Sequence, residues 1–180
     1  MRNSSGIVSS DKPVRCHLTV FLGGGIVQAM DTERPKVSAI AAIGKRRELG
    51  KDNKLIWKIP DDLRRLRALT IGHPVIMGRK THDSLGGKTL PGREVLVVSK
   101  SGLSLQAALS QTAGAEEVMI AGGAEIFQQC LPLATHMVLS IIDGNYEGDV
   151  FFPEFDAKKW HLDKEEACQG FTVKYYTASS

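Results

Sequence analysis

Short apolar runs rich in Val, Ile, Leu and Met recur along the chain after Pro35, each closed by turn residues. They are VSAIAAI (37–43), PVIMG (74–78), EVLVVS (94–99), EVMIAG (117–122), HMVLSIID (136–143) and FTVKYYT (171–177). Several show no polar–apolar alternation, which marks strands covered on both faces. Helix-like stretches at 60–70, 79–85, 104–111 and 123–131 fall between them. Strand followed by helix, repeated, predicts an α/β sandwich with a mainly parallel central sheet. Ligands of such folds gather at the carboxyl ends of the strands. No internal repeat and no second domain is visible.

The composition narrows the function classes. A length of 180 residues suits one domain with a sizeable core, and 42% apolar with 24% charged residues is ordinary for a soluble globular protein. A net charge of +3 is too small to argue for nucleic acid. The basic residues are dispersed except at Lys45-Arg46-Arg47 and in the helix at 60–70, where a solvated face explains them. Cys16, Cys130 and Cys168 are odd in number, far apart and form no CxxC, which suits a reducing cytoplasm. His17, His73, His82, His136 and His161 have no metal-ligand spacing, so no metal is expected.

Residues 1–36 read differently from the rest. RNSSGIVSSDKP is polar and rich in Ser and Gly, like a tail, and HLTVFLGGGIVQA is too short and glycine-rich to span a bilayer. The latter has the outline of a secretory signal, broken by its glycines. The glycine run at 23–25 lacks the GxGxxG spacing of a dinucleotide loop. Met30 opens a stretch that looks like a natural start. Residues 1–36 are therefore expected to be an extension, a mis-called start or a peripheral strand, with the folded domain at 37–180.

The stretch LIWKIPDDLRRLRALT (55–70) sets Asp61 and Asp62 behind Pro60 at the head of a basic helix. Proline at the first helical position and acids in the first turn are ordinary helix-starting features. A helical wheel separates the two acids. Ile59, Leu63, Leu66, Leu69 and Thr70 form one face, and Asp62 lies roughly 45° from its centre. Asp61 points the other way and is expected to make an exposed pair with Arg65. Asp62 is thus a carboxylate aimed at apolar surroundings, where its pKa should rise, and such acids are usually kept for a ligand or a proton.

Other candidate residues sit at the ends of elements. The loop at 44–58 lacks periodicity, and Gly44 and Gly50 are expected to let it close over a ligand. Gly78-Arg79-Lys80-Thr81 runs from strand into helix and places cations where an anion binds. Ser99 and Lys100 end the next strand. Gly122-Gly123 after VMIA admits close backbone approach, and LPGR (90–93) presents an arginine whose fork suits a carboxylate.

From Val37 onward the chain resembles dihydrofolate reductase, particularly the bacterial chromosomal type. The likeness rests on IAAIG…ELGKDNKLIW, IPDDLRRL, GHPVIMGRKTHDSLGGKTLPGR, VMIAGGAEIF and IIDGNYEGDVFFPEF, in the family's order. It implies a three-layer α/β/α sandwich with an antiparallel C-terminal strand, and NADPH-dependent reduction of dihydrofolate by hydride transfer to C6 with protonation at N5. It also implies antifolate inhibitors and a monomer.

By the same resemblance Asp62 binds the 2-amino group and N3 of the pterin and supports protonation through a water. Trp57 orders that water, and Ser140 bridges to Asp62 where the family usually has threonine. Ala42, Leu63, Leu66 and Leu85 wall the substrate, and Arg93 forks onto the glutamate carboxylate. Arg79, Lys80, Thr81, Ser99 and Lys100 hold the cofactor phosphates beside Gly78. Ala42, Ile43, Leu49, Gly50, Ala121, Gly122, Gly123, Ala124, Glu125 and Ile126 line its channel, with a cis peptide at Gly122-Gly123.

Several positions depart from the family pattern. Ile56 stands for a proline, Phe127 for a tyrosine, and Ala124-Glu125 for a glycine and a cation. GGKT carries an extra residue before LPGR. Two alternatives stay open at this point: the riboflavin-pathway pyrimidine reductase of the same fold, and a non-catalytic folate- or nucleotide-binding protein.

Overall fold

The computed structural model describes residues 35–52, 54–87 and 89–179. The N-terminal features read above, among them Cys16, His17, the glycine run and Met30, lie outside the described residues. So does Lys88 of the GGKT insertion.

Strands β1 (Lys36–Ile43), β3 (Val75–Gly78), β4 (Val95–Val98), β5 (Glu117–Ile120), β6 (His136–Ile142), β8 (Trp160–Cys168) and β9 (Phe171–Ala178) form a seven-stranded sheet. Its order is β4-β3-β5-β1-β6-β9-β8. The pairs from β4 across to β6 are parallel, and β9 and β8 add on antiparallel. Helices α1 (Pro60–Thr70), α2 (Arg79–Ser84), α3 (Leu105–Gln111) and α4 (Ala124–Cys130) make the crossovers.

Alternating side chains divide the sheet into two faces. Ala39 and Ile43 of β1, Ile76 of β3 and Leu139 of β6 pack with Leu105 and Ala108 of α3 and with Ile126, Phe127 and Cys130 of α4. On the other face Ala42, Val138, Ile142 and Val173 pack with Trp57 and Ile59 at the approach to α1. The result is the expected three layers.

Local chemistry accounts for the helix starts. Ser104 caps α3 by accepting from the Ala107 N–H at 3.1 Å. Helix α1 has no side-chain cap and begins on Pro60 with Asp61 and Asp62 in its first turn.

Two expectations need correction. Asp61 pairs with Arg64, not Arg65. Arg65 is drawn instead to the far strands, where Glu166 and Tyr175 offer partners. The loop at 44–58 is also not irregular throughout. Glu48–Gly50 forms a short strand β2 that pairs antiparallel with β7 (Val150–Phe151), and Lys51 bridges back to Lys54.

Gly44 and Gly50 admit close approach within this ribbon. A methyl on Gly44 would meet the Glu48 carboxylate, and one on Gly50 would lie 2.8 Å from the Lys54 carbonyl. Glu48 itself is buried, and Arg46 satisfies it through Nε at 2.9 Å and its backbone N–H at 2.9 Å.

Candidate functional site

A cleft of about 1110 Å³ runs along the carboxyl ends of the parallel strands. Its floor comes from Ala42 of β1, Gly78 of β3 and the turn Ala121-Gly122-Gly123 after β5. One wall is α1, with Asp62, Leu63, Leu66 and Thr70. The other is Arg79-Lys80-Thr81 of α2 with Ser99 and Lys100. The placement follows from topology, since parallel strands joined by crossover helices leave their carboxyl ends free.

Asp62 lies where the wheel placed it, half-buried and facing the cleft beside Ser140 of β6. Burial pushes its carboxyl above the ordinary carboxylate range, while the Ser140 hydroxyl and the Arg65 charge pull it partly back. Among the described residues no cation comes within salt-bridge distance of it. Trp57 lines the same end and packs edge-on against Tyr146, with ring centroids 5.0 Å apart. Leu63 and Leu85 remain 47% and 42% exposed, apolar surface left open on the cleft walls.

Arg93 enters at the far end. Its Nη1 donates to the Thr70 hydroxyl at 3.0 Å, and its buried Nε has no protein partner. Burial, and then the nearby Arg67 charge, lower its pKa. A guanidinium already stripped of water and only partly bonded is poised for an anionic acceptor. The extra residue before Leu90 has not moved Arg93 out of the cleft.

The phosphate-type cluster shows the same incompleteness. Ser99 Oγ is buried without a partner, and among the described residues Lys100 reaches only Glu125, at 3.7 Å. The Gly122-Gly123 peptide is cis, and Gly122 has φ +105°. A methyl on Gly122 would lie 3.2 Å from the Phe127 ring, and one on Gly123 would lie 3.1 Å from Thr81 Oγ1. Gly122→Ala is therefore expected to cost on the order of 1–3 kcal/mol from its backbone conformation alone. Thermal unfolding of the variant against the wild type measures that loss.

Behind Asp62 lies a charged network. Arg65 Nη1 donates to Glu166 Oε2 at 2.6 Å and to the Tyr175 hydroxyl at 2.6 Å, and Lys164 reaches Glu166 at 2.5 Å. Lys164 and then Arg65 hold the Glu166 carboxyl down from 4.5 to about 2. A depressed folded pKa contributes stability above the ordinary value, and that stability is lost as pH falls through the folded one. The melting temperature should thus fall between pH 4.5 and about 2. In Glu166→Gln that acid-side slope should flatten, and acid denaturation followed by circular dichroism tests it.

Of the residues expected in the site, all but one line this cleft. Ile43 does not; its side chain is buried in the core beneath α4. Sequence reasoning missed Thr70, Arg65 and Arg67. Thr70 carried a signal as the last member of the apolar face of α1, whereas the arginines looked like solvated charge.

The dihydrofolate reductase family model matches residues 36–178. The chain belongs to the dihydrofolate reductase family. It is 44% identical over 135 residues to dihydrofolate reductase of Neisseria meningitidis serogroup A, covering 69% of this chain and 83% of that one. Identity to dihydrofolate reductase of Bacillus subtilis is 37% over 140 residues, covering 72% and 83%. A solved dihydrofolate reductase from Enterococcus faecalis, complexed with NADP(H) and RAB-propyl, superposes with a TM-score of 0.71 at 26% identity. That match covers 81% of this chain and 97% of the other.

For a dihydrofolate reductase the cleft is suitably built. The unpartnered Ser99 hydroxyl, the cations beside it and the side-chain-free cradle at Gly122-Gly123 fit a phosphorylated dinucleotide. No helix among the described residues is long and apolar enough to cross a membrane, and no group of His, Cys, Asp or Glu there could hold a metal.

Proposed function

We propose that the protein reduces 7,8-dihydrofolate to 5,6,7,8-tetrahydrofolate with NADPH, using Asp62 as the acid that recognises and helps protonate the pterin. The observation that carries this reading is Asp62 itself, a half-buried carboxylate in the cleft wall with Ser140 beside it and its pKa raised.

Once its proton has passed on, that carboxylate accepts two donors from the 2-amino and N3 edge of the ring, a bidentate match of charge and shape. Ser140 bonds the carboxylate from β6 and fixes its orientation. A water ordered near Trp57 carries the proton to N5, because the carboxylate is placed for the opposite edge of the ring. Leu63, Leu66 and Leu85 exclude solvent along the aminobenzoyl group, and Arg93 receives the glutamate carboxylate. Arg79, Lys80, Thr81, Ser99 and Lys100 hold the cofactor's phosphates. Bound there, NADPH supplies the hydride accepted at C6. The chain's own work is mainly positioning and the exclusion of water.

Every residue in this scheme comes from one chain, so the enzyme is proposed to act as a monomer. Among the described residues Cys130 and Cys168 are free thiols, which suits a reducing cytoplasm. Residues 1–35 are read as an extension outside the catalytic domain, since β1 and the family match both begin at residue 36, one earlier than expected.

The riboflavin-pathway reductase has no need of an acid such as Asp62 or an arginine such as Arg93. A binding-only protein has no need of the raised Asp62 pKa. The deciving assay follows NADPH absorbance with dihydrofolate or, separately, with a ribosyl-pyrimidine. Rapid loss with dihydrofolate alone is expected. Loss with the pyrimidine alone, or cofactor binding without turnover, would overturn the proposal.

A further inference from the structure

Arg65 sits three residues after Asp62 on α1 and lines the cleft, yet its guanidinium is not left to solvent. Beyond the bonds from Nη1 to Glu166 and Tyr175, Nη2 lies 3.4 Å from Cys168 Sγ. The Tyr175 hydroxyl accepts from Arg65 and donates to Glu166 at 3.3 Å, closing a triangle between α1, β8 and β9. The Arg65 side chain is only 24% exposed, and its Nε is buried without a partner. A cation this tightly clamped has one position relative to the acid on the next turn. A free surface arginine would wander, and salt would screen it.

We propose that Arg65, clamped by Glu166 and Tyr175, is a positioning residue that sets the proton affinity of Asp62 and so the pH range over which the reductase works. The inference rests on the role given to Asp62 above.

The charges around Asp62 can be counted by element. On α1, Asp61 is paired with Arg64, and Arg65 stands three residues, about one turn, from Asp62, where its charge favours the carboxylate form. Strand β6 contributes the neutral Ser140. From β8 come Lys164, Glu166 and Cys168, and from β9 comes Tyr175. Arg65 favours the carboxylate form of Asp62 against burial, which favours the acid. Glu166 partly neutralises Arg65, so removing either member should move Asp62 in opposite directions.

The test is the pH dependence of hydride transfer at saturating NADPH in wild type, Arg65→Met, Arg65→Lys, Glu166→Gln and Asp62→Asn. The rate falls as pH rises through the loss of the Asp62 proton. In Arg65→Met this limb is expected to move to higher pH. It should return most of the way in Arg65→Lys, and in Glu166→Gln it should move to lower pH. A purely structural role would lower the plateau or raise KM without displacing the limb in opposite senses. A limb that stays in place in both charge variants, or moves the same way in both, overturns the proposal. A limb that persists in Asp62→Asn overturns the assignment of Asp62 and this inference with it.

Discussion

Replacing Asp62 with asparagine is expected to lower turnover by about a hundredfold to ten-thousandfold, the range spanned by a positioned acid or base. The amide keeps the shape of the side chain and its contact with Ser140. It cannot carry the charge that matches the two-donor edge of the pterin, and it cannot hold or release a proton. NADPH binding should be unchanged, because the phosphate cluster at Arg79–Thr81, Ser99 and Lys100 lies on the opposite wall.

Stability should not fall with activity. A carboxyl whose folded pKa lies above its unfolded value is penalised when ionised, and the penalty grows as pH rises through the unfolded pKa. At neutral pH the uncharged amide escapes it, so the melting temperature of Asp62→Asn is expected to match or exceed that of the wild type. A variant with full turnover would show that Asp62 has no part in the chemistry.

The second large effect belongs to Arg93. Arg93→Leu should raise KM for dihydrofolate by about 10- to 100-fold, since hydrogen bonds to charged groups contribute about 1.5–3 kcal/mol and each 1.4 kcal/mol is tenfold. The guanidinium meets the glutamate tail, remote from C6 and N5, so kcat should change little. A substrate lacking the glutamate separates this from general damage. It should bind wild type and variant about equally, whereas an equal loss for both substrates would mean that Arg93 supports the fold instead.

Much of this was legible in the sequence because local and tertiary preferences agree. The helix expected at 60–70 is α1, and the runs at 37–43, 136–143 and 171–177 are strands displaced by a residue or so at their ends. They read clearly because each is apolar, short and closed by turn residues. Strand β8 did not. WHLDKEEAC lies at the sheet edge, mostly exposed and charged, as a protected edge strand should be, and so carries no apolar alternation. Strands β2 and β7 are too short for any period to show.

The site divides in the same way. Asp62 could be read from its place on a helical wheel, which depends only on neighbours in sequence. Arg65 could not, because its direction is decided by Glu166, 101 residues away. Ile43 was expected in the cleft by family correspondence, but strand alternation turns its side chain to the face covered by α4 while Ala42 takes the opposite one.

Hydride transfer from NADPH to dihydrofolate in this cleft leaves an isotopic signature. It is tested most directly with NADPH deuterated at the transferable position and dihydrofolate as acceptor, followed by mass spectrometry and NMR of the product. The expected product is tetrahydrofolate carrying one deuterium at C6, formed rapidly by the wild type and hardly at all by Asp62→Asn. Unlabelled product, label at another carbon, or cofactor oxidation without tetrahydrofolate would contradict it.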